Sequence, residues 1–247
     1  MNLEAFYSSD DERIVFSRTQ ASAFAKEIAD DFNPLHDPEA KLFCVPGDLL
    51  FAVALARYGL STRMRFLFSG MVDGGTPLDF PNTPSREVSI TDGSGRACLQ
   101  LESSGETSHD KELIKALTHT YVEFSGHTFP DILVPLMSSH GVMINPARPL
   151  VIYESMEIRL DNLNLQSPVL EYTGATLDSN GKKGHVSLNF LFKEGGETVG
   201  KGAKYMLLRG LKPYDKMVVD DAVAGYMAHK AEYKARREAL ESPDPHR

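Results

Sequence analysis

The sequence predicts an α+β fold in which an apolar helix followed by an antiparallel meander occurs twice. Residues 49–56 are apolar all the way round, which is typical of a helix surrounded by protein. Later segments alternate apolar and polar residues and are joined by the turns Asp92-Gly93-Ser94-Gly95 and Asp178-Ser179-Asn180-Gly181, a pattern that predicts hairpins. The two passages, 49–101 and 132–208, share this order without a residue-level repeat, so the predicted duplication rests on pattern alone.

Composition and charge exclude several classes of protein. The chain of 247 residues can form one large domain or two of ordinary size. Its hydrophobic fraction of 42% and charged fraction of 24% are those of a soluble globular protein. The net charge of −8 disfavours nucleic acid as a partner. The net charge does not exclude a local basic patch that binds a phosphate-bearing ligand.

Cysteine usage and hydropathy favour a cytoplasmic protein. Cys44 and Cys98 are the only cysteines, and two thiols without CxxC spacing fit a reducing compartment better than a disulfide scaffold. The acidic first 16 residues lack the pattern of a signal peptide. No apolar run approaches the ~18 residues that a membrane-spanning helix needs.

Helix signals place two further helices and the ends of the central one. Ser17 and Gln20 have the spacing of a capping box for a helix over 19–29. Gly59 is expected to end the central helix, with Asp48 a candidate for its N-cap. A second apolar helix is predicted over 130–140, kinked or shortened by Pro135.

Other segments carry weaker signals. Residues 103–110 are polar and are predicted to form a loop, and 111–124 are ambiguous between helix and strand because of Tyr121 and Val122. An exposed helix is predicted over 215–241, and residues 242–247 are expected to be frayed.

The turn after the first helix carries the strongest chemical signal. Asp31 and His36 are five residues apart around Pro34, which stops a regular helix. A buried carboxylate and imidazole are costly unless each is satisfied, so their pairing suits proton transfer better than folding. The structural alternative is that the turn is only a helix stop with an Asx turn. A histidine such as His36, taken alone, is more often a surface residue than a catalytic one.

The helix, the turn Asp31-Phe32-Asn33-Pro34-Leu35-His36 and Gly47 at the head of an apolar helix together resemble the MaoC-like (R)-specific enoyl-CoA hydratases. The string FCVPGDLLFA over 43–52 also resembles a bacterial family of uncharacterised proteins. The first resemblance covers roughly the first quarter of the chain. It implies a double hotdog, in which two antiparallel sheets each wrap an apolar helix, separate or joined edge to edge, followed by a C-terminal helix.

The resemblance implies an N-terminal hotdog over 1–110 with the motif, a degenerate hotdog over 111–214 and a helix with tail over 215–247. Asp31 would be the general base on water, and His36 would hold that water and donate a proton. Gly47, with the backbone N–H of Asp48 at the helix start, would serve the thioester oxygen. Asn33 would order the turn, and Asn33, Asp48 and Phe32 would contact the substrate.

Three departures separate this chain from the hydratases. Pro46-Gly47 stands where the family usually has His-Gly, and the segment between His36 and Gly47 is short. Asp30 replaces the usual Gly. It could raise the pKa of Asp31 by like-charge repulsion, or it could point to solvent.

We expect a hydratase or dehydratase acting on an acyl thioester of CoA or acyl-carrier protein, with no cofactor and no metal. The alternatives are a non-catalytic acyl-CoA-binding hotdog and a thioesterase-like hydrolase. A homodimer is an option, although a tandem chain can build the site internally. Lys201 and Lys204 could reach a nucleotide phosphate, but strand-edge charges are usually solvated.

Overall fold

The computed structural model describes residues 1–10, 13–82 and 85–241, so the predicted frayed tail lies outside the described residues. The helices are listed in chain order: α1 (Arg18–Glu27), α2 (Gly47–Tyr58), α3 (Lys111–Gly126), α4 (Thr128–Asp131), α5 (Leu133–Ser139) and α6 (Lys216–Glu241). Short 3-10 helices cover Leu3–Phe6 and Pro34–His36. The predicted C-terminal helix is confirmed.

The strands are β1 (Ser8–Asp10), β2 (Arg13–Val15), β3 (Leu60–Phe68), β4 (Pro77–Asp79), β5 (Glu87–Asp92), β6 (Ala97–Ser108), β7 (Val142–Met143), β8 (Leu150–Leu160), β9 (Val169–Asn180), β10 (Lys183–Glu194), β11 (Glu197–Arg209) and β12 (Lys212–Pro213). Within the described ranges, ten of them form one sheet in the order β1-β2-β4-β5-β6-β3-β8-β11-β10-β9, and β7 pairs with β12. Every pairing is antiparallel. The predicted α+β class with antiparallel meanders is confirmed.

The two halves of the chain meet at the pairing of β3 with β8, where Met64 lies opposite Ile158. Outward from this junction the order is β6, β5, β4 on one side and β11, β10, β9 on the other. The meanders therefore share one continuous sheet rather than two separate ones. One apolar core also crosses the junction, since Phe51 of α2 and Phe190 of β10 belong to the same buried cluster.

Helix α2 lies at the centre of this core because it has no polar face. Its residues 48–55 are all buried. Gly59 ends the helix as predicted, with φ 84°. The prediction that Asp48 is the N-cap is wrong. Pro46 occupies that position, and the Asp48 side chain, within the first turn, contacts α3 instead.

The ambiguous segment is a helix throughout, and α3 packs against α2. Tyr121 and Val122 are helical because they share the buried face of α3 with Thr118 and Ser125, at the 3, 4 and 7 spacing of a helix. The predicted loop over 103–110 is wrong, since β6 continues to Ser108 and pairs with β3. Its polar residues lie where the strand is largely exposed.

The second apolar helix is divided at Ile132 into α4 and α5. The regular helix α5 is shorter than the predicted 130–140, as one of the two alternatives had it. Pro135 lies in its first turn, where a missing N–H costs little. Among the described residues, no helix is long and apolar enough to cross a membrane.

Candidate active site

A cavity of about 450 Å³ lies between the turn after α1, the start of α2, the end of α3 and the face of α6. Its polar lining residues include Asp31, His36, Asp48, Ser125 and Lys204. An apolar lining comes from α5, the segment that leads into β8, and β11, and it includes Leu133, Ile144, Leu150 and Met206. This size and this division are typical of a site for a small amphipathic ligand.

Local hydrogen bonds fix the turn that carries Asp31. The Asp31 N–H donates to the Ala25 carbonyl at 2.8 Å, which ties the turn to the end of α1. Asp31 Oδ1 accepts the N–H of Asn33 at 2.9 Å, and Asn33 Oδ1 accepts the N–H of Leu35 at 3.1 Å. Asn33 is thus the N-cap of the short helix 34–36, and it orders the turn.

This arrangement brings His36 and Asp31 together on the cavity wall. His36 Nε2 lies 3.6 Å from Asp31 Oδ2, with 11% of the His36 side chain and 25% of the Asp31 side chain exposed. His36 Nδ1 lies 2.7 Å from the backbone carbonyl of Cys44. A carbonyl can only accept, so Nδ1 carries a proton and Nε2 is left for exchange with the cavity.

Gly47 is closely surrounded by aromatic side chains. A Cβ on Gly47 would lie 2.8 Å from Tyr153 Cδ1 and 3.3 Å from Phe68 Cε1. The first backbone donors within α2 are Leu49 and Leu50, which both bond to the Pro46 carbonyl. The N–H groups of Gly47 and Asp48 precede them, at positions where a helix offers no internal acceptor.

Asp48 belongs to a buried polar network that sequence reasoning missed. Its Oδ2 accepts a hydrogen bond from Ser125 Oγ at the end of α3, and Lys204 Nζ on β11 donates to the same Ser125 Oγ. All three residues are at least 93% buried. Burial raises the pKa of Asp48, and the Lys204 charge and the Ser125 hydrogen bond only partly oppose that rise.

Aromatic residues enclose this network. Lys204 Nζ lies 4.4 Å from the centroid of the Tyr153 ring, a cation–π contact. The hydroxyls of Tyr121 and Tyr153 are hydrogen bonded to each other. Burial holds the pKa of both phenols well above the ordinary value.

The prediction that Lys204 is a solvated strand-edge charge is wrong. Lys204 shares one face of β11 with Met206 and Leu208, at the two-residue period of a strand, and both of those residues are buried. That period was the signal available in the sequence. Ser125 was marked likewise by its helical spacing from Tyr121 and Val122.

Phe32 lies in the cavity wall, but its ring mainly packs on α6. It makes edge contacts with Tyr226, His229 and Tyr233, and it is 1% exposed. These three residues therefore form a packing face of α6 against Phe32. Tyr226 and His229 also line the cavity.

The alternative in which Asp30 points to solvent is wrong, since 21% of its side chain is exposed and it is paired with charged residues. It forms ion pairs with Lys230 and Lys234 of α6, and its Oδ2 lies 3.3 Å from His127 Nε2. Burial works to raise the pKa of Asp30, but the hydrogen bonds from the two lysines outweigh it and lower the pKa. Asp30 thus fastens α6 beside the site.

Residues 1–217 match a protein family described as "Protein of unknown function (DUF3581)". The chain belongs to the DUF3581 family. The matched range contains Asp31, His36, Asp48, Ser125 and Lys204, whereas the α6 residues of the cavity wall lie beyond it. No curated protein matches the sequence.

Several solved structures are similar to this DUF3581 chain. A "MaoC-like dehydratase" has 12% identity and a TM-score of 0.42, covering 84% of this chain and 99% of that one. The acyl-CoA thioesterase II TesB2 from Mycobacterium marinum has 11% identity and a TM-score of 0.45, covering 87% and 100%. A conserved protein of unknown function with hot dog fold from Alicyclobacillus acidocaldarius has 10% identity and a TM-score of 0.45, covering 87% and 99%.

Proposed function

We propose that this protein is a MaoC-like hydratase or dehydratase that adds water to, or removes it from, an acyl thioester. The observation that carries the proposal is the 3.6 Å approach of Asp31 Oδ2 and His36 Nε2 on the wall of the cavity. At that separation one water can hydrogen bond to both atoms, about 2.8 Å from each. The apolar lining of the cavity suits the acyl chain of the substrate.

The chemistry follows from the two protonation sites. The Asp31 carboxylate removes a proton from water while the water oxygen bonds to C3 of a trans-2-enoyl thioester. The C2=C3 π electrons shift towards the thioester oxygen and give an enolate. As the thioester carbonyl re-forms, that electron pair takes the Nε2 proton of a His36 that also carries its Nδ1 proton, and the C2–H bond forms. Passage of the proton from Asp31 to His36 restores the pair, and dehydration follows the reverse path.

The developing enolate needs hydrogen-bond donors. The N–H groups of Gly47 and Asp48 lie at the start of α2, where the helix dipole also favours negative charge. Substrate contacts from Phe32 and Asn33 belong to the same proposal, since both line the cavity beside Asp31.

We also propose that each half of the sheet is one hotdog, so that the chain is a double hotdog with the boundaries given above. The mirrored strand order around the β3–β8 pairing supports this. One half then carries the motif while the other widens the acyl cavity. Two free cysteines support a reducing, cytoplasmic setting.

Hydration of crotonyl-CoA, followed by loss of the enoyl absorbance, tests the proposal. Asp31→Asn and His36→Ala are each expected to lower the rate by about 10²–10⁴-fold. Asp221→Asn and His119→Ala change exposed residues of the same types and serve as matched controls with unchanged rates.

Two other outcomes would contradict the proposed hydratase or dehydratase activity. Release of free thiol that requires Asp31 would assign hydrolysis of the thioester. Acyl-CoA binding without turnover, unaffected by either substitution, would assign a non-catalytic binding protein.

A further inference from the structure

We propose that Lys204, held in place by Ser125, forms an oxyanion subsite in the cavity, which binds the thioester oxygen as it gains negative charge and binds the carboxylate of an alkyl acid in its place. This inference rests on the proposed function for its substrate. Its geometry, a buried ammonium and a buried hydroxyl that both line an otherwise largely apolar cavity, is independent of any reaction.

The first argument is the number of donors on Lys204. An ammonium group has three N–H bonds. One N–H donates to Ser125 Oγ, and the ammonium makes a cation–π contact with the face of the Tyr153 ring. A donor remains for the cavity that Lys204 lines, and a buried charge is costly until it is paired and hydrogen bonded.

The second argument is that Asp48 satisfies Lys204 poorly. The carboxylate contacts Lys204 through Ser125, and its Oδ1 is buried without a hydrogen-bond partner among the described residues. An ionised carboxylate offers about four acceptor positions, so this environment favours the protonated form. A protonated Asp48 leaves Lys204 as an unneutralised cation facing the cavity.

The third argument is the position of the subsite relative to Asp31 and His36. Both residues lie close enough to Asp48 to influence its pKa, and all of them line one cavity. Tyr153 packs on Lys204 and borders Gly47, so the subsite is adjacent to the start of α2. An oxygen held there is close to the pair that would exchange protons with the acyl chain.

Octanoate and octanamide distinguish a charged oxygen from a neutral one in molecules of nearly equal shape. We expect calorimetry to show that the full-length protein binds octanoate roughly tenfold or more tightly than octanamide. Equal affinities in the unsubstituted protein would overturn the proposal without recourse to any variant.

Lys204→Met tests whether Lys204 is the source of the preference for octanoate over octanamide. The substitution is expected to abolish the difference between the two ligands. Lys201→Met on the same strand, where the side chain is exposed, should leave it intact. Ser125→Ala, which retains the cation, should reduce the preference partially. A preference that survives both Lys204→Met and Ser125→Ala would overturn the proposal.

The pH dependence adds a second readout. Octanoate affinity should fall as pH rises and Asp48 ionises to neutralise Lys204. Asp48→Asn should retain binding and remove that part of the dependence. The remaining titratable groups coupled to Asp48 are Asp31, His36, Tyr121, Tyr153 and Lys204. An unchanged pH profile in Asp48→Asn would refute the coupling.

The two proposals fail separately. Lys204-dependent octanoate binding without hydration of crotonyl-CoA would retain the subsite and reject the reaction. Hydration that needs Asp31 and His36, with no preference for octanoate, would retain the reaction and reject the subsite.

Discussion

The hydroxyl of Tyr226 on α6 accepts the backbone N–H of Phe32, 194 residues earlier in the chain, at 3.1 Å. Phe32 directly follows Asp31, so the last helix holds the turn that carries the candidate acid–base pair. The same helix closes one side of the cavity. The conformation of Asp31 therefore depends on α6 as well as on the Asx turn.

Replacing Tyr226 with Phe tests this dependence. The change retains the ring contacts with Phe32 and Phe129 but leaves a buried N–H without its acceptor. We expect a loss of about 1–3 kcal/mol in the free energy of unfolding, measured by denaturant titration. Tyr172→Phe, at an exposed position on β9, is the control. Equal stability of both variants would show that the hydrogen bond contributes nothing.

The ion pairs of Asp30 with α6 should make the free energy of unfolding depend on pH. The pKa of Asp30 is lowered in the folded protein, so its stabilising contribution is complete above the unfolded pKa, near 3.8, and is lost as pH falls through the lower folded value. Asp30→Asn should therefore cost about 1 kcal/mol at pH 7 and progressively less in acid. Asn also tolerates the φ of 55° at this position, so the substitution adds little strain.

The measurement is denaturant unfolding of both proteins from pH 7 to pH 3, with Asp220→Asn as a control that breaks an exposed pair with Lys216. A stability difference that stays constant across this range would contradict the assigned linkage.

The parts of the site whose conformation depends on residues nearby in sequence could be predicted. The parts that depend on elements distant in sequence could not. The turn from Asp31 to His36 is fixed by Asn33, Pro34 and local hydrogen bonds, so its spacing was readable. Lys204 and Ser125 reach the cavity because β11 and α3 bring them to Asp48 at the start of α2. The periods of β11 and α3 indicate that both side chains are buried, but no local pattern specifies the contacts that bring them to the same cavity.

The same distinction explains the fold. The apolar composition of α2 predicted its burial, and the turn at Asp92 predicted the β5–β6 hairpin. Helix α3 was ambiguous because Tyr121 and Val122 favour strands in isolation, while the buried face they form with Leu117 and Thr118 stabilises the helix. Tertiary packing overrode local preference there.

Cys44 supplies a prediction about thiol chemistry. Burial raises the pKa of the Cys44 thiol to about 11, so the thiolate is scarce at neutral pH. Its backbone carbonyl accepts the hydrogen bond from His36 Nδ1. Cys44→Ala should leave the hydration rate within about twofold of the original, because that carbonyl remains. A loss similar to that of His36→Ala would instead implicate the thiol.

The raised pKa of Cys44 also fixes the sign of a stability change. The stabilising contribution of the neutral thiol is complete below the unfolded pKa, near 9, and is lost as pH rises through about 11. Unfolding midpoints of the parent protein should fall over that interval more steeply than those of Cys44→Ala. Parallel pH profiles would show that burial of this thiol is not linked to folding.

Gly47 permits a direct test of how tightly the head of α2 is enclosed. An added Cβ would meet the Tyr153 ring at 2.8 Å, and this ring also packs on Lys204. Gly47→Ala should therefore lower the free energy of unfolding by about 1–3 kcal/mol, the usual cost of overpacking, although Ala favours a helix more than Gly does. It should also weaken octanoate binding, because displacement of Tyr153 moves the Lys204 ammonium. Gly93→Ala, where a Cβ meets nothing within 4 Å, is the matched control. A stabilised Gly47→Ala variant with unchanged octanoate affinity would mean that helix propensity outweighs the contact and that Tyr153 does not position the cation.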